Sequence, residues 1–255
     1  LNCDFCATGK QGFNRNLTTA EIIGQLWLVK QILAQRWQTD KRNSITNVVL
    51  MGMGEPLLNW ENVYPALNLM LDQNAYGVAK RRVTVSTAGI VPTIYQLADQ
   101  SEVALAISLH AADNNTRNKL VPINKKYPLD TLLAACRYYC QQHPQRSITM
   151  EYVMLAGVND SSADAKKLTK LLQGFPCKIN LIPFNAFKHT IYTSSPLEQI
   201  MHFQRLLIDG GIYTSIRKTR GENVNAACGQ LTGAVRDRTT RQAKQQHARE
   251  NIPAS

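Results

Sequence analysis

The chain has 255 residues, of which 44% are hydrophobic and 18% are charged, a composition typical of one large globular domain and not of a disordered or coiled-coil protein. No apolar run approaches the roughly 20 residues that span a bilayer, and no signal peptide is visible, so we expect no membrane association. The net charge of +11 and the pI near 9.5 favour a polyanionic partner, most commonly a nucleic acid, although a basic surface can also serve solubility alone.

The N-terminal segment 1–9 holds two cysteines three positions apart, Cys3 and Cys6, with Phe5 between them and Gly9 behind. Two thiolates at this spacing can ligate one metal centre, because the intervening turn lets both sulfurs point the same way. Zinc knuckles, thioredoxin-like redox sites and iron–sulfur loops all share the pattern. The pair alone leaves these three kinds of site open.

Thr18 and Glu21 form the pattern of a capping box, which predicts the start of a helix that continues to about residue 35. Residues 45–51 are apolar and rich in β-branched side chains, which predicts a buried strand. From there helical and strand patterns alternate. Further strands are predicted at 82–87, 103–109, 147–154, 178–183 and 212–217, and further helices at 62–73, 92–99, 129–142, 161–173 and 196–209.

This alternation predicts an α/β fold with a parallel sheet and outer helices, either open or closed into a barrel. The first predicted helix has no strand before it and the chain begins on Leu1, so we expect a first strand to precede this sequence. No repeat, low-complexity segment or linker divides the chain. We therefore expect one domain over residues 1–235, followed by a basic tail over residues 236–255.

Polar residues follow four of the predicted strands. Because the carboxyl ends of parallel strands meet at one edge of a sheet, we expect these residues to lie together and form a polar ligand site. Each of them alone also fits an ordinary turn or cap. The residues are Gly54 and Glu55 after the first strand, Ser86, then Ser108 and His110, and finally Asn185.

The other cysteines fall into two groups. Cys136 and Cys140 lie four apart on one face of a predicted helix, which favours core packing, and Cys177 precedes an apolar strand and is interpreted as structural. Cys228 lies in a loop of small and polar residues with basic groups just upstream, where it is either a reactive thiol or a half-buried loop cysteine. The irregular spacing argues against a secreted disulfide framework and favours reduced thiols in the cytoplasm.

Together these segments resemble a known family. Cys3-Asp4-Phe5-Cys6 is similar to the second half of the CxxxCxxC motif of radical S-adenosylmethionine (SAM) enzymes. Five further segments, in order along the chain, resemble the RlmN/Cfr family of radical SAM RNA methyltransferases, and its RlmN branch in particular. They are residues 12–17 (GFNRNL), 52–56 (GMGEP), 108–110 (SLH), 122–127 (PINKKY) and 226–231 (AACGQL).

The resemblance implies a partial (β/α)6 radical SAM barrel, here without its first strand and its N-terminal accessory domain. It implies a 4Fe–4S cluster on three cysteines, of which two match Cys3 and Cys6, while the third is expected four residues before Cys3. As a fragment with two cluster ligands, the sequence is expected to be inactive by itself. The implied contacts to S-adenosyl-L-methionine are Gly54, Glu55, Ser86, Ser108, Leu109, His110 and Asn185.

The implied reaction adds a methyl group to carbon 2 of an adenine. In the family, the cysteine that matches Cys228 accepts a methyl group from one SAM. A radical derived from a second SAM then activates that methyl group for addition to the base. A partner cysteine releases the product, and this sequence contains no match for it.

The family substrates are one adenine of 23S rRNA and adenine 37 of some tRNAs. An external electron donor of flavodoxin type, a monomeric state and a cytoplasmic location are expected with them. Candidate contacts to the RNA backbone are Arg81, Arg82, Lys125, Lys126, Arg217, Lys218 and Arg220. Two alternatives remain: a Cfr-like enzyme that methylates carbon 8, and a non-enzymatic RNA-binding module with a zinc ion on Cys3 and Cys6.

Overall fold

A computed structural model of the chain describes residues 1–37, 45–187 and 190–217. Its centre is one sheet of six parallel strands, which lie side by side in the same order as in the sequence. The predicted parallel α/β fold is therefore confirmed. The strands are β1 (Val48–Leu50), β2 (Val83–Thr87), β3 (Ala104–Ser108), β4 (Ile148–Met154), β5 (Cys177–Pro183) and β6 (Thr214–Ile216).

Six of the helices in the described part of the chain match the predicted ones within a few residues. Two shorter helices, α1 and α5, were not predicted. The helices are α1 (Ala7–Lys10), α2 (Thr19–Trp37), α3 (Trp60–Leu71), α4 (Val91–Gln100), α5 (Asn114–Leu120), α6 (Leu129–Gln142), α7 (Ser162–Leu172) and α8 (Leu197–Asp209).

The start of α2 confirms the predicted capping box. The Glu21 N–H donates to Thr18 Oγ1 at 3.3 Å, and the Thr18 N–H donates to Glu21 Oε2 at 2.9 Å. The two residues thus satisfy backbone donors that would otherwise have no partner at the helix start. Arg15 also pairs with Glu21, at 2.6 Å, and ties the loop that follows the cysteines to this helix.

The strand order explains the architecture. Each new strand is added next to the previous one with no reversal of direction, so right-handed crossovers place all connecting helices on the same face of the sheet. Side chains of β2 alternate accordingly: Val83, Val85 and Thr87 are buried, whereas Thr84 and Ser86 are half-buried. Such a parallel sheet, with its connecting helices on one side, is the architecture of a partial (β/α) barrel.

The main core fills the space between the sheet and the helices. On the last strands, Tyr152 of β4 stacks on Phe203 of α8 with ring centroids 5.5 Å apart. Glu151 alternates with Tyr152 and therefore points to the opposite side, which we call the inner face of the sheet. None of the described helices is both long enough and apolar enough to cross a membrane.

Candidate functional site

The side chain of Glu55 connects the carboxyl ends of β1 and β2, at the carboxyl edge of the sheet. Glu55 follows β1, and its Oε2 accepts the Ala88 N–H, just beyond β2, at 2.8 Å. Its Oε1 accepts the Leu57 N–H at 3.1 Å. Burial raises the pKa of the Glu55 carboxyl despite these two hydrogen bonds, which stabilise the charged form. Gly54 precedes it with φ = +95°, a conformation that favours glycine at this turn.

The cysteine loop lies against this edge. The Cys6 N–H donates to the Cys3 carbonyl at 3.3 Å, which closes a tight turn between the two thiols. A side chain at Gly9 would come within 2.8 Å of the Cys3 carbonyl, so the close packing of α1 on the loop requires glycine. Burial, and then the nearby Cys6, raise the pKa of the Cys3 thiol to about 12.

Three hydrogen bonds of Asp4 hold the cysteine loop in place. The Asp4 N–H donates to the Leu120 carbonyl at the end of α5, at 3.1 Å. The Asp4 carboxylate accepts hydrogen bonds from Lys10 and from the hydroxyl of Tyr192, the latter at 2.8 Å. Burial opposes ionisation, but these two hydrogen bonds lower the pKa of Asp4 overall. The loop is thus fixed between α5 and the segment that follows β5.

His110 lies at the end of β3 in a left-handed conformation, with φ = +60°. Its buried ring accepts the Val153 N–H at Nδ1, at 3.1 Å, and contacts the Phe5 ring edge-on with centroids 4.6 Å apart. Burial, followed by the charge of Arg117, lowers the pKa of His110 to about 3. The ring is therefore neutral, and its Nδ1 is an acceptor that connects β3 to β4.

The inner face carries a polar row across four strands. Strand register aligns Ser108, Glu151, Asn180 and Ser215 as neighbours on β3 to β6. Asn180 Nδ2 donates to Glu151 Oε2 at 2.9 Å, and Ser215 Oγ donates to Asn180 Oδ1 at 3.3 Å. Burial raises the pKa of the Glu151 carboxyl. The sequence placed Ser108 at the site because it lies at the end of a predicted strand, but Glu151 and Asn180 were missed because mid-strand polar residues have no distinguishing pattern.

Arg117 of α5 is the other residue that sequence reasoning missed. It is fully buried, and its guanidinium binds the carbonyls that follow β2 and β3. The side chain therefore holds two strand ends together directly behind the cysteine loop. An arginine in a polar helix gives no hint in the sequence that it is buried, since arginine is mostly exposed in proteins.

The remaining predicted residues have the following positions. Ser86 lies on the inner face of β2, one level below Ser108. Leu109 is fully buried on the helical side, so its backbone, and not its side chain, reaches the edge. Asn185 follows the end of β5 and has an interaction partner. Cys228, Lys218, Arg220 and the basic tail lie outside the described residues.

The other cysteines follow their predicted interpretation. Cys136 is fully buried in the core, and burial raises the pKa of its thiol. Cys140 and Cys177 are half-buried against that core, and burial raises their pKa values to about 11 and about 12. In the ranges 1–37, 45–187 and 190–217, no three His, Cys, Asp or Glu side chains group as a metal site. Cys3 and Cys6 fit two of the ligands of an iron–sulfur centre, which thiolates bind well.

Comparisons with known proteins agree with this geometry. The family model of the radical SAM superfamily matches residues 1–168. The crystal structure of a radical SAM methyltransferase from Sphaerobacter thermophilus is 40% identical, with a TM-score of 0.86 over 91% of this chain and 66% of that chain. A domain of pyruvate-formate lyase-activating enzyme from Bacteroides vulgatus is 20% identical, with a TM-score of 0.53 over 68% of this chain and 100% of that one. SuiB from Streptococcus suis bound to S-adenosylmethionine is 15% identical, with a TM-score of 0.58 over 86% of this chain and 45% of that one.

The chain belongs to the radical SAM superfamily. Members of this superfamily use a 4Fe–4S cluster and S-adenosylmethionine as cofactors. The two likenesses below 25% identity show the fold alone. The chain spans 66% of the length of the Sphaerobacter protein.

Proposed function

We propose that this chain is the catalytic domain of an RNA methyltransferase of the RlmN type, which methylates carbon 2 of an adenine in 23S rRNA and of adenine 37 in some tRNAs. The observation that carries the proposal is the 40% identity to a radical SAM methyltransferase over 91% of this chain. The net charge of +11 supports an RNA substrate. An external electron donor of flavodoxin type, a monomeric state and a cytoplasmic location belong to the same proposal.

In this proposal Cys3 and Cys6 hold two iron atoms, and the edge around Glu55 binds SAM. The Glu55 carboxylate accepts two backbone N–H groups and the Thr87 hydroxyl, which leaves acceptor capacity for the amine of the SAM methionine. Ser86 and Ser108 present hydroxyl groups on the inner face, beside the polar row. When bound, the cluster and SAM supply the radical chemistry that methylation of this carbon needs.

Adenine carbon 2 is electron-poor and has no lone pair with which to attack a cationic methyl donor. The reaction therefore needs a group of the protein that carries the methyl group, and Cys228 is the proposed carrier. As a thiolate, Cys228 would attack the methyl carbon of SAM, so that a new sulfur–carbon bond forms, the bond from that methyl group to the SAM sulfur breaks, and S-adenosylhomocysteine leaves. Basic residues lie upstream of Cys228 in the sequence, and a thiol with cations nearby is more readily ionised, which supports its choice as the carrier.

The test uses the full-length protein, loaded with its cluster and supplied with reductant, methyl-deuterated SAM and a 23S rRNA fragment. We expect mass spectrometry of the digested RNA to find labelled 2-methyladenosine. Cys228→Ala is expected to abolish the product. The matched control is Cys140→Ala, which removes a half-buried thiol of α6 and should leave the product unchanged.

Three results would contradict the proposal in different ways. Labelled 8-methyladenosine would identify the Cfr-like activity instead. Unmodified RNA from a cluster-loaded protein that still cleaves SAM would show that the substrate is not this RNA. Full activity of Cys228→Ala would exclude the methyl-carrying role of that thiol.

A further inference from the structure

Arg117 is a buried cation with no negative partner among the residues that the structure describes. Its side chain is fully buried, and it takes part in none of the ion pairs found there. Buried arginines are normally paired, since taking an isolated charge out of water is unfavourable. Burial lowers the pKa of Arg117 to about 10, so the group is still charged at neutral pH.

The hydrogen-bond acceptors of Arg117 in the described part of the chain are all neutral oxygens. Nε donates to the Leu109 carbonyl at 3.0 Å, and Nη1 donates to Asn124 Oδ1 at 2.8 Å. Nη2 donates to the Ala88 carbonyl at 2.8 Å and to the Ser108 carbonyl at 2.9 Å. These bonds satisfy the geometry of the guanidinium, but within residues 1–37, 45–187 and 190–217 its positive charge has no counter-charge.

The position of Arg117 indicates what supplies that counter-charge. Leu120, one helical turn further along α5, accepts the N–H of Asp4 in the cysteine loop. Cys3 and Phe5 pack against the same small apolar cluster as Leu120 and Ala88. The cation therefore lies between the cysteine loop and the strand ends, and low-dielectric surroundings separate it from water.

We propose that Arg117 is the internal counter-cation of the iron–sulfur cluster and that it raises the reduction potential of the cluster. A 4Fe–4S cluster with its thiolate ligands is an anion, and one-electron reduction adds a further negative charge. A fixed cation in a low-dielectric interior stabilises the reduced form more than the oxidised form. The proposal rests on the cofactors of the superfamily and does not depend on RNA as the substrate.

The test is a redox titration of the anaerobically reconstituted full-length protein with dithionite, followed by electron paramagnetic resonance of the reduced cluster. We expect Arg117→Met to shift the midpoint potential to more negative values, because the stabilising charge is removed. Arg117→Lys keeps the charge and should shift the potential much less. Lys119→Gln is the matched control: it removes an exposed cation from the same helix, where water and salt screen the charge, and should leave the potential unchanged.

A merely structural role would alter folding or cluster content without moving the potential. An Arg117→Met protein with full iron and sulfide content and the parent potential would overturn the proposal. If Arg117→Met does not retain the cluster, Arg117→Lys decides the matter. If Arg117→Lys retains the cluster at close to the parent potential, the charge has the proposed role. If this variant also loses the cluster, the hydrogen bonds of the guanidinium are required instead and the proposal is wrong.

Discussion

His110, at the end of β3, contacts three other parts of the chain through its backbone and its ring. Its left-handed backbone turns the chain away from β3, its carbonyl accepts the Asn159 side chain at 2.8 Å, and its ring accepts the Val153 N–H. The ring also supports Phe5 of the cysteine loop. A protonated ring would lose the Nδ1 acceptor, so the fold requires the neutral form.

This requirement predicts a pH dependence of stability. The pKa of His110 falls from an ordinary 6.5 to about 3 on folding, so between these values the unfolded chain binds a proton that the folded chain does not. Stability therefore decreases as the pH falls below 6.5, by up to about 1.4 kcal/mol per pH unit for this group. Asparagine tolerates the left-handed conformation and does not titrate in this range. Between about pH 6 and pH 5 we therefore expect the free energy of unfolding to fall by about 1 kcal/mol less in His110→Asn than in the parent. Urea denaturation at several pH values measures the free energy of unfolding. If it falls equally with pH in the two proteins, the prediction is wrong.

Glu55→Gln tests the carboxylate at the proposed SAM site. A glutamine places an N–H₂ group against one of the two backbone N–H donors and removes the charge that would pair with the SAM amine. Hydrogen bonds to charged groups contribute about 1.5–3 kcal/mol, so we expect SAM affinity to fall about 10- to 100-fold. Calorimetric titration of the cluster-loaded full-length protein measures it. The control is Glu61→Gln, at an exposed position in the first turn of α3. Equal SAM affinities of the parent, Glu55→Gln and Glu61→Gln would refute the role of Glu55.

At the scale of elements, helix α5 is the support of the site. Asp113 caps it by accepting the Thr116 N–H at 2.9 Å, and Arg117 follows one turn later. Asn124 in the next turn donates to Asn114 and Asn118 and accepts from Arg117, which fastens both ends of the helix. A helix of seven residues is not stable alone, so its position depends on these side-chain contacts.

Asp113→Ala should therefore destabilise the protein by about 1 kcal/mol, the usual contribution of an N-cap side chain. Chemical denaturation at neutral pH measures the loss. Asp130→Ala is the matched control, since Asp130 is an exposed aspartate in the first turn of α6 that makes no cap bond. The cap has no special importance if both substitutions have the same effect.

The sheet and the long helices were predictable because burial imposes a regular pattern on them. The carboxyl-edge position of Glu55, Ser86, Ser108 and His110 followed from parallel strands alone. The region of α5 was not predictable, because its residues Asn-Asn-Thr-Arg-Asn-Lys-Leu have no apolar period and depend on partners distant in sequence. The burial of Arg117 was invisible for the same reason. The proposed role of Cys228 stays a prediction, since the residue lies outside the described ranges.

At the scale of the whole molecule, positive charge and the site lie near each other. A solvent-open depression of about 610 Å³ adjoins the cysteine loop and is lined by Asn2, Asp4, Asn118 and Lys125, among others. Lys125 and Lys126 are both exposed at the end of the turn Pro122–Lys125, which follows α5. An RNA strand whose base enters the carboxyl edge would bring its backbone close to these two side chains.

The proposed RNA contact predicts a specific salt dependence. Each phosphate contact contributes about 0.7–0.9 to the slope of log affinity against log salt concentration, so Lys125→Gln with Lys126→Gln should reduce the slope by up to about 2. The control is Lys166→Gln with Lys170→Gln, which removes the same charge from exposed positions of α7, on the helical side of the sheet. Fluorescence anisotropy with a labelled rRNA hairpin, measured from low to moderate salt, gives both slopes. A larger reduction of the slope for the Lys125 and Lys126 variant supports an RNA backbone beside the cysteine loop. An equal reduction for both double variants would contradict it and indicate that the basic charge acts through the overall field of the protein.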